Sequence, residues 1–184
     1  MLLIILTIMF NLISAIMKRL FLLMIAIAFI ASSASAQTPI KYQGEVDLGY
    51  SVGVGAFGEE RVNVHLLNGV KVGEYFSTGV GLGLDYYHSL DNNGELFIPI
   101  YLNLKGYLPV SDIVNPYVSC DVGVGIGTTR DVSSLSGLYL TPAIGLHIKK
   151  WDTLFQIGYN MQRVSYEGVG VDVGALQFKF GLFF

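Results

Sequence analysis

The chain has 184 residues, 52% of them hydrophobic and 14% charged, where a soluble domain carries roughly 25% charged residues; water is a poor match as solvent for such a surface. Glycine, at 22 residues, exceeds the usual share of about 7% but shows no Gly-X-Y period and no proline enrichment, which excludes collagen and low-complexity linkers. The net charge is −3; without Lys18 and Arg19 of the leader described next, 9 of the 11 basic residues face 14 acidic ones, net −5, which argues against nucleic acid or an anionic surface as partner.

Residues 1–36 read as a targeting segment. From Met17, the charged pair Lys18-Arg19 precedes an apolar run from Leu20 to Ala31 that is too short to span a bilayer as a helix. Ala34-Ser35-Ala36 then forms a small-residue cleavage site before Gln37. A mature chain from Gln37 is expected, with translation starting at Met17 and residues 1–16 lying upstream of the true start. An uncleaved helical anchor is the alternative. Residues 37–184 then form a single domain.

From Gln37 onward no helix-period segment of useful length occurs, while apolar residues alternate with small or polar ones at short intervals. The first strand, about Gly44 to Gly55, sets Val46, Leu48, Tyr50, Val52 and Val54 against Glu45, Asp47, Gly49, Ser51 and Gly53. The second, about Arg61 to Val72, opposes Val62, Val64, Leu66, Val70 and Val72 to Asn63, His65, Gly69 and Lys71. The third opposes Val80, Leu82, Leu84 and Tyr86 to Gly79, Gly81, Gly83 and Asp85. The fourth sets Ile98, Ile100, Leu102 and Leu104 against Tyr101, Asn103, Lys105 and Tyr107.

The fifth strand opposes Val118, Val122, Val124 and Ile126 to Ser119, Asp121, Gly123, Gly125 and Gly127. The sixth sets Leu138, Leu140, Ile144, Leu146 and Ile148 against Thr141, Gly145, His147 and Lys149. The seventh opposes Phe155, Ile157, Tyr159 and Met161 to Gln156, Gly158, Asn160 and Gln162. The last puts Leu176, Phe178, Phe180, Leu182 and Phe184 opposite Gln177, Lys179 and Gly181. Eight strands return both termini to one side. Turns at Gly73-Glu74, Pro109 to Pro116 and Lys149 to Asp152 are expected at that end; loops around Ala56 to Glu60, Ser89 to Glu95, Thr129 to Ser136 and Ser165 to Asp172 are expected at the other.

The fold class is therefore all-β, an eight-stranded antiparallel up-and-down barrel. A soluble barrel turns its apolar face inward and shows water a charged exterior, whereas here the non-apolar face is dominated by glycine with scattered Tyr, Asn and Gln. Such a face suits a tight interior, because eight strands leave a lumen just wide enough for side chains to fill. Glu45, Asp47, Asp85 and Asp121 can be matched there by Lys71, Lys105, Lys149 and Lys179, as buried charges require, and no wide aqueous pore is expected. Tyr75, Phe76, Tyr86, Tyr87, Tyr107, Tyr117, Trp151 and Phe155 sit near strand ends, where interfacial girdles belong. The lone Cys120 excludes an internal disulfide and suits apolar packing better than catalysis.

The leader, the eight alternating strands and the terminal FKFGLFF together resemble the small outer-membrane β-barrels that include the OmpA transmembrane domain, OmpX and OmpW. The resemblance covers residues 44–184 and is one of pattern. It implies a bacterial outer-membrane location, outer-membrane lipid around the barrel, and reading of Phe184 with Leu182, Phe180 and Phe178 by the barrel assembly machinery. With the chain stopping at Phe184, the peptidoglycan-binding domain that follows the barrel in OmpA is not expected.

The densest polar cluster, DYYHSLDNNGE, gathers Asp85, His88, Ser89, Asp91 and Glu95. The outer-membrane lipid A deacylases use a His-Ser pair with an acidic partner in His-x-Ser spacing; His88 and Ser89 are adjacent instead. Asn93-Gly94 reads as a hairpin turn with solvated acids around it. His65 and His147 lie on inward faces without metal-motif spacing and are expected to hydrogen-bond in the interior. GVGLGL at Gly79 has no following helix and is not a phosphate loop. No catalytic, cofactor-binding or metal-binding residue and no cofactor is assigned. The expected function is a non-enzymatic structural or surface-interaction barrel; the alternatives are an OmpW-like conduit for small hydrophobic molecules and a lipid-modifying enzyme.

Overall fold

The computed structural model describes residues 39–55, 58–88, 94–128, 137–166 and 169–184. The leader and start site expected in residues 1–36 lie outside them, as do Ser89 and Asp91.

Eight strands follow one another: β1 (Ile40–Val54), β2 (Arg61–Val72), β3 (Phe76–Tyr87), β4 (Glu95–Tyr107), β5 (Val114–Gly127), β6 (Gly137–Ile148), β7 (Thr153–Tyr166) and β8 (Val169–Phe183). Each pairs antiparallel with the next, and β8 pairs back onto β1, so the sheet is a closed barrel without an edge. The seam is finished by Gly44 and Phe184, each of whose N–H donates to the other's carbonyl (3.1 and 3.0 Å).

The stagger can be followed residue by residue. Gly44 faces Asn68, Asn68 faces Val80, and the path continues through Leu102, Val122, Leu140, Met161 and Gly174 before meeting β1 again at Val54. The circuit thus returns ten residues further along β1, from 44 to 54, the kind of fixed shear that tilts barrel strands by about 35–45°.

Face assignment follows the two-residue period of the sequence. Val46, Leu48, Leu82, Ile100, Val122, Ile144, Phe178 and their alternating neighbours are exposed on the outside, while Glu45, Asp47, Asn103, Asp121, Gln177 and Lys179 are buried inside. A folded chain with this many exposed aliphatic and aromatic side chains in a continuous belt is built for hydrocarbon.

Three features differ from the sequence reading. The expected loop from Ser165 to Asp172 is mostly strand: β7 runs to Tyr166, β8 starts at Val169, and Arg163 pairs with Asp172 at 3.3 Å. The β7–β8 ladder continues through this stretch, pairing Arg163 to Tyr166 with Asp172 to Val169. Tyr87, Tyr107 and Tyr117 point into the lumen rather than forming a girdle, because their strand parity is inward; Tyr75, Tyr86, Trp151 and Phe155 do lie outside. Lastly, the β6–β7 register skips the pairs at Thr141 and Pro142. Pro142 has no N–H to donate, and on the lumen side Asn160 Nδ2 donates to Thr141 Oγ1 at 2.7 Å across the gap.

Glycine explains how the lumen accommodates tyrosine. One inward ring runs Gly81, Tyr101, Gly123, Tyr139 across β3 to β6. The Tyr101 ring occupies the space a Cβ on Gly81 would take, and a Cβ on Gly123 would collide with the Ile100 carbonyl and Tyr101 backbone. Over Gly123 the Tyr101 and Tyr139 rings stack at 5.5 Å and 29°. Gly123→Val should therefore lower barrel stability by about 1–3 kcal/mol, read as a smaller heat-modifiable folded band on an unboiled gel and an earlier urea transition; an unchanged transition would remove the close-approach argument.

Candidate functional site

The lumen is where the polar chemistry of this chain collects, and buried inward side chains line it at each described level. At the end that carries the termini, Lys71 Nζ lies 4.7 Å from the Tyr107 ring centroid, and Gln43 Nε2 and Ser77 Oγ donate to Tyr107 Oη at 3.2 and 3.3 Å. Tyr117 Oη and Ser119 Oγ donate to Gln156 Oε1 at 3.2 and 3.3 Å. Lys105 forms a fully buried ion pair with Glu45 and lies 5.5 Å from the Tyr117 ring centroid. His147 packs edge-on against Phe183 at 4.8 Å and 86°, with Asp152 3.8 Å from its Nε2.

Midway, Lys179 Nζ pairs with Asp121 Oδ2 at 3.4 Å, and Asn103 Nδ2 donates to Asp121 Oδ1 at 2.5 Å. His65 Nε2 and Asp85 Oδ1 are 2.8 Å apart, and Tyr101 Oη is 3.2 Å from His65 Nδ1. The tautomer that satisfies both has Tyr101 donating to Nδ1 and Nε2–H donating to the carboxylate. Asn63 Nδ2 donates to the same carboxylate at 2.7 Å, and Ser51 Oγ donates to Asn63 Oδ1 at 2.7 Å.

At the far end Arg61, fully buried, donates through Nη1 to Tyr87 Oη at 2.5 Å and through Nη2 to Asn160 Oδ1. Tyr87 Oη donates in turn to Gln162 Oε1 at 2.9 Å. Tyr87, Phe97 and the half-buried Val173 form an apolar patch beside it.

The charge balance anticipated from sequence is met for two of the four acids; among the described residues no cation pairs with the buried Asp47. Lys105 and Lys179 do neutralise Glu45 and Asp121. Lys71 and Lys149 do not reach the other acids: Lys71 sits over Tyr107 near the mouth, and Lys149 Nζ donates to the Ser111 carbonyl at 3.0 Å. Asp85 is held by His65 and Asn63, and the far-end cation is Arg61. Both Lys71 and Lys149 lie at strand ends, and Arg61 opens β2. Its odd-numbered parity with Asn63 and His65 was the available signal.

The Tyr101–His65–Asp85 series has the order of a proton relay, yet all three are closed off from solvent, so the geometry serves packing and orientation. Among the described residues no group of three or more His, Cys, Asp or Glu could hold a metal ion. Cys120 is half-buried on the outer face, opposite Leu104 and Pro142. Asp85 is turned into the lumen while His88 is exposed at the rim, so the cluster read from DYYHSLDNNGE is not brought together there, and its members Ser89 and Asp91 lie outside the described residues.

No family model matches this sequence, and no curated protein matches it either. Solved structures do. The chain is similar to Neisserial surface protein A (NspA), with 11% identity, a TM-score of 0.60, and coverage of 79% of this chain and 99% of that one. It is also similar to the outer membrane enzyme PagL, with 10% identity, a TM-score of 0.53, and coverage of 75% and 98%. The fold is that of the small eight-stranded outer-membrane barrels.

Lys105→Ala should cost about 3–5 kcal/mol, because Glu45 is left as an unpaired buried charge, whereas Glu45→Gln combined with Lys105→Met should recover most of that loss. Equilibrium urea unfolding in lipid vesicles measures both, and equal losses for the single and double variants would show that the pair carries no buried charge.

Proposed function

We propose that this chain is an outer-membrane barrel of bacteria with a structural or surface-interaction role, its lumen closed by its own side chains. The observation that carries the reading is the succession of buried side chains bonded across the lumen, from Gln43 and Tyr107 through Lys105–Glu45 and Lys179–Asp121 to Arg61 on Tyr87. A conduit for small hydrophobic molecules needs a continuous apolar passage, and the tyrosines, the ion pairs at Glu45 and Asp121 and the hydrogen-bonded Asp85 put polar groups in that space. Contact with partners then belongs to the rims and the outer wall. The likeness to PagL, an enzyme, extends to fold.

The outer wall supports the membrane part of the reading. Val46, Leu48, Leu82, Ile100, Val122, Phe178 and Leu182 are exposed in one belt, and hydrocarbon rather than water covers such a belt at low cost. Phe178, Phe180 and Leu182 on β8, with Phe184 just past its end, share that face, beside the closing pairing with β1. We assign to this row the contact with the barrel assembly machinery.

Fractionation of expressing cells tests the location: recovery in the outer membrane, with a band that shifts on boiling, is expected, and recovery as a soluble periplasmic protein would overturn it. In planar bilayers the folded barrel should give no steady open conductance, while a stable open channel would refute the closed lumen. Phe180→Asp, which places a charge on the lipid face at a cost of about 1–3 kcal/mol, should reduce the amount assembled in vivo.

A further inference from the structure

The lumen holds more acid groups than its cations neutralise. Asp47 shares its part of the lumen with a second acid, Glu45, and with the ammonium groups of Lys105 and Lys179; Lys179 in turn faces Asp121. Three carboxyl groups thus meet two ammonium groups, and all five side chains are buried. Each ammonium is already bonded, Lys105 to Glu45 and Lys179 to Asp121 Oδ2 at 3.4 Å. Among the described residues no cation lies within ion-pair distance of Asp47, which is 6% exposed. A carboxylate left alone in such a place is strongly disfavoured, and the group is neutralised instead.

Among the described residues no other group in reach supplies the missing positive charge. On β2 Asp47 pairs with His65, whose two ring nitrogens are committed to Asp85 and Tyr101 in the neutral tautomer described above. On β4 stand Tyr101 and Lys105, on β5 Tyr117 and Asp121, and on β8 Lys179. Asp47 Oδ1 fills the space that a Cβ on Gly181 would take, so the carboxyl lies against the β8 backbone. On β1 itself its inward neighbour is Glu45, and the two carboxyl groups are within hydrogen-bond reach of each other. Two carboxylates offer only acceptors and repel, so that contact needs a proton. With Glu45 bonded to the Lys105 ammonium, the proton belongs on Asp47.

We propose that the closed lumen holds one proton, carried by Asp47 as a neutral carboxylic acid whose O–H donates to Glu45. Two ammonium groups, two carboxylates and one acid then leave this part of the lumen neutral. The proton comes from water: an aspartate in the unfolded chain is ionised at neutral pH, so each barrel takes up one proton as it closes and releases it on unfolding. Because the folded state binds the additional proton, rising pH disfavours it and falling pH favours it, down to the range where the unfolded aspartate is itself protonated. This inference goes beyond the structural role proposed above and holds whatever the barrel contacts.

The test uses the folded full chain in phosphatidylcholine vesicles at neutral pH, with heavy carbon in the aspartate carboxyl groups, read by infrared difference spectroscopy of the wild type against Asp47→Asn. The wild type should show a protonated-carboxyl C=O band that carries the isotope shift and is missing from Asp47→Asn. Asn keeps both the shape and a hydrogen-bond donor, and the heat-modifiable band checks that the variant folds. Asp112→Asn, on an exposed connection, should leave the infrared band in place. A second measurement counts protons during urea unfolding: the wild type should release one more than Asp47→Asn. Its folded-to-unfolded ratio should therefore fall about tenfold per pH unit relative to that variant between about pH 5 and 7. A folded wild type without a labelled acid band, or equal proton release by the two proteins, would overturn the proposal. A labelled band that survives in Asp47→Asn would assign the proton to another aspartate and overturn it as well.

Discussion

Hydrocarbon offers no hydrogen-bond partner to a peptide group, so each N–H and C=O within the belt must be satisfied by another strand. Everything else in this structure follows from that requirement. It forces β8 onto β1, and the closing pairs at Gly44 and Phe184 leave no free edge. Where Pro142 cannot donate, the ladder skips and a side-chain bond from Asn160 to Thr141 bridges the lumen side. The ten-residue stagger read from Gly44 to Val54 then fixes which side chains share a level inside.

Closure with eight strands makes a narrow lumen, and narrowness imposes two further conditions. Volume must balance, which alternation of Gly81, Tyr101, Gly123 and Tyr139 around one ring achieves. Charge must balance as well, since the idealised cost of removing an ion from water is of order 20 kcal/mol before pairing. Lys105 with Glu45 and Lys179 with Asp121 meet that condition directly, while the Asp85 carboxylate is held by hydrogen bonds from His65 and Asn63.

The sequence is most legible where a single strand carries its own signal. The alternation of Val46, Leu48 and Tyr50 with Glu45, Asp47 and Gly49 is a local property, and the face of each residue followed from it. The same rule placed His65 and His147 inside. It was set aside for Tyr87, Tyr107 and Tyr117, whose position near strand ends suggested an interface although their parity pointed inward. Arg61 also has inward parity, and its buried guanidinium bonds Tyr87 on the next strand and Asn160 on β7, the second of which only the closed ring brings near.

By itself the sequence determined strand number, the two faces, the polar lumen and the apolar belt, because these depend only on a two-residue period and on side-chain chemistry. Tertiary structure alone decided the pairing of charges, the place of Arg61 and the tyrosine stack over Gly123. Those depend on stagger, and stagger is set by hydrogen-bond register around the whole closed ring, a property that no single strand contains.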